Sequence, residues 1–163
     1  MNRVYIAIGS NLGNPIEKAN QAIAALKQLP QSQFVAASPL YTSKPMGPAD
    51  QPDYINAVIA LDTHLDPLTL LDATQAIELD YGRERKAERW GPRSLDLDIL
   101  LYGNRVIDHP RLTVPHYGMK VREFVLYPLA DIAPDLCLPD GSTLAASLTR
   151  VDRNGLTRIS DHA

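Results

Sequence analysis

Apolar residues along the chain fall into short alternating runs separated by two longer stripes at helical spacing. Val4 to Ser10 is a compact apolar stretch closed by Gly9-Ser10-Asn11-Leu12-Gly13, and it predicts a first strand, with Gly9 and Gly13 as turn residues. Asn14-Pro15 with Glu17 three residues after the cap opens a helix. Ile16, Ala19, Ile23, Leu26 and Leu29 supply its buried stripe, and Pro30 ends it. Phe34 to Tyr41 predicts a second strand, broken late by Pro39. From Thr42 to Pro52 three prolines and a glycine exclude helix or central strand, as expected of a binding loop. Tyr54 to Leu61 then alternates, with Ile55, Ala57, Ile59 and Leu61 on one face and Tyr54, Asn56, Val58 and Ala60 on the other.

A second helix starts at Asp66-Pro67, carries Leu68, Leu71 and Ile77 on its apolar side, and closes with Gly82 at the C′ position. A further strand runs from Ser94 to Tyr102 and turns at Gly103-Asn104. The order strand, helix, strand, strand, helix, strand predicts an α+β fold. It is that of a ferredoxin-like sandwich, a βαββαβ core with an antiparallel sheet and helices on one face, followed by a C-terminal extension. No repeat or linker divides residues 1–163, so one domain is expected. In the extension, Val121 to Leu126 predicts a short helix ended by Pro128, and Leu144 to Leu148 another. The polar tail reads as dispensable for chemistry.

Composition narrows the class. A chain of 163 residues with 45% hydrophobic and 21% charged residues is that of an ordinary globular protein. Its net charge of −3 argues against nucleic acid as a bulk partner. Five of the sixteen cations, Arg83, Arg85, Lys86, Arg89 and Arg93, nevertheless lie in one short segment, which suits a small anionic ligand better than a polymer. The single Cys137, in Leu136-Cys137-Leu138, reads as a small core residue and is compatible with a reducing compartment. No apolar run reaches the roughly 18 residues of a membrane span, and no signal segment opens the chain, so the expected location is cytoplasmic. A monomer is expected because no exposed apolar stripe stands out.

The richest stretch chemically is Arg89-Trp90-Gly91-Pro92-Arg93-Ser94-Leu95-Asp96-Leu97-Asp98-Ile99-Leu100. Period-two alternation puts Leu95, Leu97, Ile99 and Leu101 on one face and Asp96 and Asp98 on the other, their Cα atoms roughly 6.5–7 Å apart. An Asp-x-Asp pair alone is most often a solvated strand face. Beside five cations and a Trp it suits divalent ions under a nucleotide triphosphate. Asn56 could edge-read a heterocycle, although by itself it reads as a solvated or edge residue. Beyond Asp108-His109-Pro110, Arg111 and Arg122 form a second cationic cluster, while the adjacent His116 and Tyr117 read as structural or solvated, without the spacing of a zinc site.

Taken in order, Tyr5-Ile6-Ala7-Ile8-Gly9-Ser10-Asn11-Leu12-Gly13, Gln51-Pro52-Asp53-Tyr54-Ile55-Asn56-Ala57-Val58, Gly82-Arg83, the Arg89–Asp98 segment and Val114-Pro115-His116 resemble the 6-hydroxymethyl-7,8-dihydropterin pyrophosphokinases of folate biosynthesis. The resemblance covers about Tyr5 to Pro139. It implies transfer of pyrophosphate from ATP to the pterin's hydroxymethyl oxygen, with release of AMP. It further implies that Asp96 and Asp98 hold two Mg²⁺ and that Arg83 and Arg93 neutralise charge on the group in flight. Leu71, Gln75, Arg85, Trp90, Arg93, Ile99, Arg111, Leu112, Thr113, His116, Tyr117 and Arg122 are the residues it implies for ATP. Ser43, Lys44, Pro45, Met46, Gly47, Tyr54, Asn56 and Phe124 are those for the pterin, which would stack between Tyr54 and Phe124. One departure is Ser43 where the family usually has Thr in Tyr-x-Thr-x-Pro-x-Gly; the hydroxyl is kept.

Two other classes compete. A metal-dependent phosphohydrolase would use the acid pair to activate water, but has no use for Tyr54, Asn56 and Phe124. An RNA-binding ferredoxin-like module is disfavoured by the acidic balance and by the absence of a Lys/Arg-Gly-aromatic motif.

Overall fold

The protein's computed structural model describes residues 1–11, 14–43, 54–82 and 95–159. Its elements are β1 (Asn2–Ser10), α1 (Pro15–Leu26), β2 (Ser32–Ala37), β3 (Tyr41–Ser43), β4 (Tyr54–Thr63), α2 (Pro67–Gly82), β5 (Asp96–Tyr102), β6 (Ile107–His109), β7 (Leu112–Val114), α3 (Glu123–Ile132), α4 (Leu144–Leu148) and β8 (Thr157–Arg158). The main sheet runs β5-β1-β4-β3-β8, with β2 also paired to β4. Every pairing in it is antiparallel. β6 and β7 form a separate hairpin.

β2 and β3 share one side of β4. β2 lies along Ile59–Thr63 and β3 along Tyr54–Asn56. The expected single strand from Phe34 to Tyr41 is therefore two strands. Between them Ser38 bonds Val58 twice, its N–H donating to the Val58 carbonyl at 2.9 Å and its Oγ accepting from the Val58 N–H at 3.0 Å. A buried hydroxyl thus replaces a ladder bond where the chain moves from one strand to the next.

Both faces of the sheet are covered, where helices on one face were expected. On one side Val4, Ile6, Ile8, Ile59, Leu61, Leu97 and Ile99 pack with Ala19, Ala22 and Leu26 of α1 and Leu70, Leu71 and Ile77 of α2. On the other, Tyr5, Ala7, Val58, Ala60, Leu100 and Leu101 pack under Val125, Leu126 and Leu129 of α3 and Leu144 of α4. The strand β4 accordingly has almost no solvent face, as its continuous apolar run requires.

A bulge in β5 corrects the expected alternation. Tyr5 pairs with Leu101 and Ile6 with Ile99, so Leu100 is an extra residue. Leu95, Leu97 and Ile99 stay on the α1–α2 side, while Leu101 crosses to the α3 side with Leu100. Side-chain period is broken by one residue wherever two oppose one. The three leucine-type anchors before the bulge hold the strand's register; burying each contributes about 1.5–3 kcal/mol, and a slip by one residue would turn Asp96 and Asp98 into the core.

Several boundaries differ from expectation for local reasons. α1 ends at Leu26 rather than at Pro30; Ala22 joins its buried face, and Ile16 is exposed. Asn14 caps it without a side-chain bond to the backbone, its Nδ2 instead donating to Glu17 Oε2 at 3.4 Å. Gly82 closes α2 as its last residue rather than one position beyond it, and packing also requires it: a Cβ there would stand 2.7 Å from Leu95 Cβ. α3 continues through Pro128 to Ile132, giving up one intrahelical hydrogen bond while burying Val125, Leu126, Pro128 and Leu129. Cys137 is exposed, whereas Leu138 is buried. The tail is integrated into the sheet, with Thr157 and Arg158 of β8 opposite Thr42 and Tyr41. Among the described residues no helix is long and apolar enough to cross a membrane.

Candidate active site

The register of four strands builds the site. Gly9 of β1 faces Asp96 of β5 on one side and Asn56 of β4 on the other, and Asn56 in turn faces Tyr41 of β3. The next row sets Asp98 beside Ala7. Residues directly opposite share a face, so Asp96, Asp98 and Asn56 all project on the α3 side, beyond the part that α3 and α4 cover. Gly9 is not a turn residue. It is a paired strand residue whose missing side chain leaves open floor between the acid and the amide.

A cleft of about 230 Å³ lies above that floor, lined by Ala7, Ile8, Gly9, Ser43, Tyr54, Asn56, Asp96, Asp98, Arg122, Phe124 and Val125. Phe124 and Val125 come from the first turn of α3, and Arg122 is its cap residue. Asn56 is 5% exposed on a central strand, so it is neither solvated nor at an edge. Its Oδ1 accepts a 2.6 Å hydrogen bond from the Ser43 hydroxyl. Asp96 is half-buried and Asp98 exposed.

Behind the acids stands a further carboxylate, on α2. Glu78 of α2 accepts from the Leu97 N–H at 2.7 Å. Leu97 lies between the two aspartates on β5, the edge strand of the sheet among the described residues, and that donor turns outward to α2. The bond fixes the backbone from which both acids emerge.

The bulged Leu100 also serves the site, its carbonyl accepting from the His116 N–H at 3.0 Å. This brings His116 Nε2 to 3.9 Å from Asp98 Oδ2. Its Nδ1 accepts from the Gly118 N–H at 3.1 Å, which leaves the ring's proton on Nε2, facing the acid. Burial holds the imidazole below its ordinary value; Asp98 opposes that shift and Arg122 adds to it. Tyr117 stacks on His116 with centroids 4.7 Å apart and is 81% exposed. Arg122 lies over the rings of both Tyr117 and Phe124, at 5.4 and 5.8 Å. A cation and three rings thus border the acid pair.

Other sequence-predicted residues sit elsewhere. Arg111, on the β6–β7 turn, is bound to α2 through Asp72 Oδ1 at 2.6 Å and Gln75 Oε1 at 3.2 Å. Asp72 was not anticipated, because an exposed helical acid gives no signal until its distant partner is placed. Leu71, Ile99 and Leu112 are buried in the apolar cluster on the α1–α2 side, apart from the acids, and Thr113 is exposed on β7. Arg83, Arg85, Trp90 and Arg93 lie outside the described residues, as do Lys44, Pro45, Met46 and Gly47.

Whether the acids suit a metal follows from donor chemistry. They are hard oxygen donors on one face, and among the described residues no third His, Cys, Asp or Glu joins them in a protein-only cage. Two carboxylates on one face fit Mg²⁺, which keeps several waters and takes its other ligands from phosphate.

Comparison with known proteins gives a consistent picture. Residues 5–134 match the family described as 7,8-dihydro-6-hydroxymethylpterin-pyrophosphokinase. The chain is 59% identical over 157 residues, 96% of each chain, to a Pseudomonas aeruginosa protein named 2-amino-4-hydroxy-6-hydroxymethyldihydropteridine pyrophosphokinase. A Haemophilus influenzae protein of the same name is 54% identical over 140 residues, 86% of this chain and 87% of that one. Among solved structures, the Plasmodium falciparum HPPK-DHPS bound to pteroate superposes with a TM-score of 0.72 at 14% identity. That match covers 91% of this chain but only 42% of the other, and it speaks to the fold alone.

Proposed function

The chain belongs to the 7,8-dihydro-6-hydroxymethylpterin-pyrophosphokinase family, and we propose that its acid pair and its buried amide form the two halves of that family's site. The protein is an ATP-dependent enzyme of folate biosynthesis. It transfers pyrophosphate from ATP to the hydroxymethyl group of 6-hydroxymethyl-7,8-dihydropterin, giving the pterin diphosphate and AMP. The observation that carries the residue assignment is the row Asp96–Gly9–Asn56, with Tyr54 and Phe124 bordering the same cleft.

In this reading Asp96 and Asp98 hold two Mg²⁺. Bound there, the ions would screen the triphosphate and stabilise charge on the transferring group. The pterin lies over Gly9 between the Tyr54 and Phe124 rings, its edge read by Asn56 and the Ser43–Gly47 segment. This orientation aims the hydroxymethyl group along the floor toward the acids. His116, neutral near pH 7, offers its Nε2–H as a phosphate donor beside Asp98. Arg122 supplies a fixed positive charge at the same margin, and Arg111, held by Asp72 and Gln75, grips phosphate from the β6–β7 turn. Arg83, Arg85 and Arg93 add charge and Trp90 a stacking ring, as the resemblance implies. Positioning and charge stabilisation suffice for this kind of transfer, so no general base is assigned.

Residues 1–163 are read as one domain with a ferredoxin-like core, which the strand order β5-β1-β4 flanked by β2 and β3 supports. A cytoplasmic monomer is the matching expectation. Incubation with ATP, Mg²⁺ and hydroxymethyl-dihydropterin, followed by identification of the nucleotide, tests the function. AMP formed only with pterin present is the expected product. ADP, or turnover without pterin, contradicts it and favours a phosphohydrolase.

A further inference from the structure

Ser43 ends β3 and Asn56 lies near the start of β4, diagonally across the pair in which Tyr41 faces Asn56 and Ser43 faces Tyr54. Both residues are buried, at 6% and 5% exposure, and their side chains are joined by the 2.6 Å bond from Ser43 Oγ to Asn56 Oδ1. A carboxamide has two ends of nearly equal shape and opposite hydrogen-bonding sense. What a ligand meets in the cleft depends on which end is turned toward it.

We infer that Ser43 is a positioning residue: its hydroxyl holds the Asn56 amide with the oxygen toward β3 and the two N–H donors toward the cleft. The two ends of the amide are placed accordingly. On the β3 side the hydroxyl occupies Oδ1. On the β1 side Nδ2 is the group nearest the open floor, 3.7 Å from where a Cβ on Gly9 would stand. Beyond Gly9 in the same row is the Asp96 carboxylate, an acceptor-only group that favours N–H donors facing it and disfavours a carbonyl oxygen. Donating to Oδ1, the hydroxyl pairs with the end of the amide turned away from the cleft and so keeps Nδ2 turned toward it.

The consequence is a specificity rule. The cleft selects a flat heterocycle whose edge presents an acceptor toward Asn56 Nδ2, and it needs the Ser43 hydroxyl to do so. This deepens the pterin reading above and rests on it.

The test is titration of oxidised 6-hydroxymethylpterin, with Mg²⁺ and a non-hydrolysable ATP analogue present, into the full chain and three variants. Ser43→Ala should weaken pterin binding about tenfold, the order expected for loss of one buried hydrogen bond. It should leave the analogue's own affinity within about twofold, and in turnover it should raise the pterin KM more than it lowers kcat. Ser43→Thr, which keeps the hydroxyl, should restore pterin binding; Asn56→Ala should abolish it. Pterin affinity unchanged in Ser43→Ala, an equal loss for the nucleotide analogue, or no rescue by Thr would overturn the role given to the hydroxyl. If Asn56→Ala binds the pterin as well as the unaltered protein does, the pterin assignment itself fails, a result separable from failure of the Ser43 role alone.

Discussion

Asp96 and Asn56 flank Gly9 from its two neighbouring strands in a single register row of the sheet. Two strand spacings separate their Cα atoms, roughly 10 Å, and the strand residue between them is a glycine. A bicyclic ring reaching from amide to acid matches that span. Chemistry is thereby placed by backbone pairing, and the hydrophobic anchoring of β5 keeps the acids on the open side.

Filling the floor should separate binding from stability. Gly9→Ala places a methyl 3.7 Å from Asn56 Nδ2, ordinary contact distance, so the fold has room for it. Thermal melting should shift little. The pterin, which needs that space, should bind roughly tenfold or more weakly, since overpacking by a methyl typically costs 1–3 kcal/mol. Calorimetry of pterin binding beside a melting curve checks both halves.

Asp98→Asn and Asp96→Asn should each leave the melt nearly unchanged and lower kcat by about a thousandfold, from loss of several kcal/mol of charge stabilisation. Steady-state assays across a Mg²⁺ series report it. Normal turnover at ordinary Mg²⁺ in either variant would remove the metal role.

Arg111 is an exposed cation tethered by Asp72 at 2.6 Å. An exposed pair of this kind adds at most about 0.5–1 kcal/mol to stability, so Asp72→Ala should not alter the melting temperature measurably. It should raise the ATP KM several-fold by untethering the guanidinium, with kcat nearly kept. An equal loss in kcat would contradict a pure binding role.

His116 gives a pH signature. Burial lowers its value in the folded chain, despite Asp98 nearby. On acidification the unfolded chain therefore takes up its proton first, near the ordinary value of about 6.5. Stability owed to the neutral ring is complete above that pH, declines as pH falls from there toward the folded value, and then levels. Without metal or nucleotide, the unaltered protein should lose more melting temperature between pH 7.5 and 5.5 than His116→Asn does.

The C-terminal strand should matter to both stability and the pterin. Leu156 is 4% exposed, the Ile159 N–H donates to the Leu40 carbonyl at 2.8 Å, and Arg158 reaches Asp131, which also accepts from Tyr41. Tyr41 faces Asn56 directly. Truncation after Gly155 should destabilise by roughly 2–5 kcal/mol, the usual range for a deleted core leucine, and should weaken pterin binding by loosening β3. Denaturant melts and pterin titration on the truncated chain give the two readings.

Much of this was legible in the residues because it rests on period and punctuation. The alternation around Leu95, Leu97 and Ile99 placed Asp96 and Asp98 on the opposite face, and Asp66-Pro67 marked the start of α2. What was hidden depends on partners distant in sequence. Nothing local reveals that Leu100 is bulged, since the bulge exists only relative to β1. Gly82 reads as a helix stop and is the last residue of α2, but its close approach to Leu95 shows only once Leu95 is placed. Pro128 resembles a break, yet α3 is held by the sheet it covers. Asn56 reads as a surface residue until β3 and β1 close around it. Asp72 and Glu78 are helical acids whose roles appear only once α2 is set against β7 and β5.

The division of the cleft between Asn56 and the acid pair is tested most directly by calorimetry on three proteins: unaltered, Asn56→Ala, and the double variant Asp96→Asn, Asp98→Asn. The expected result is that Asn56→Ala loses the pterin analogue but still takes Mg²⁺ with a non-hydrolysable nucleotide. The acid variant should lose Mg²⁺-dependent nucleotide binding instead. Undiminished Mg²⁺–nucleotide affinity in the double acid variant would contradict the metal site on which the rest is built.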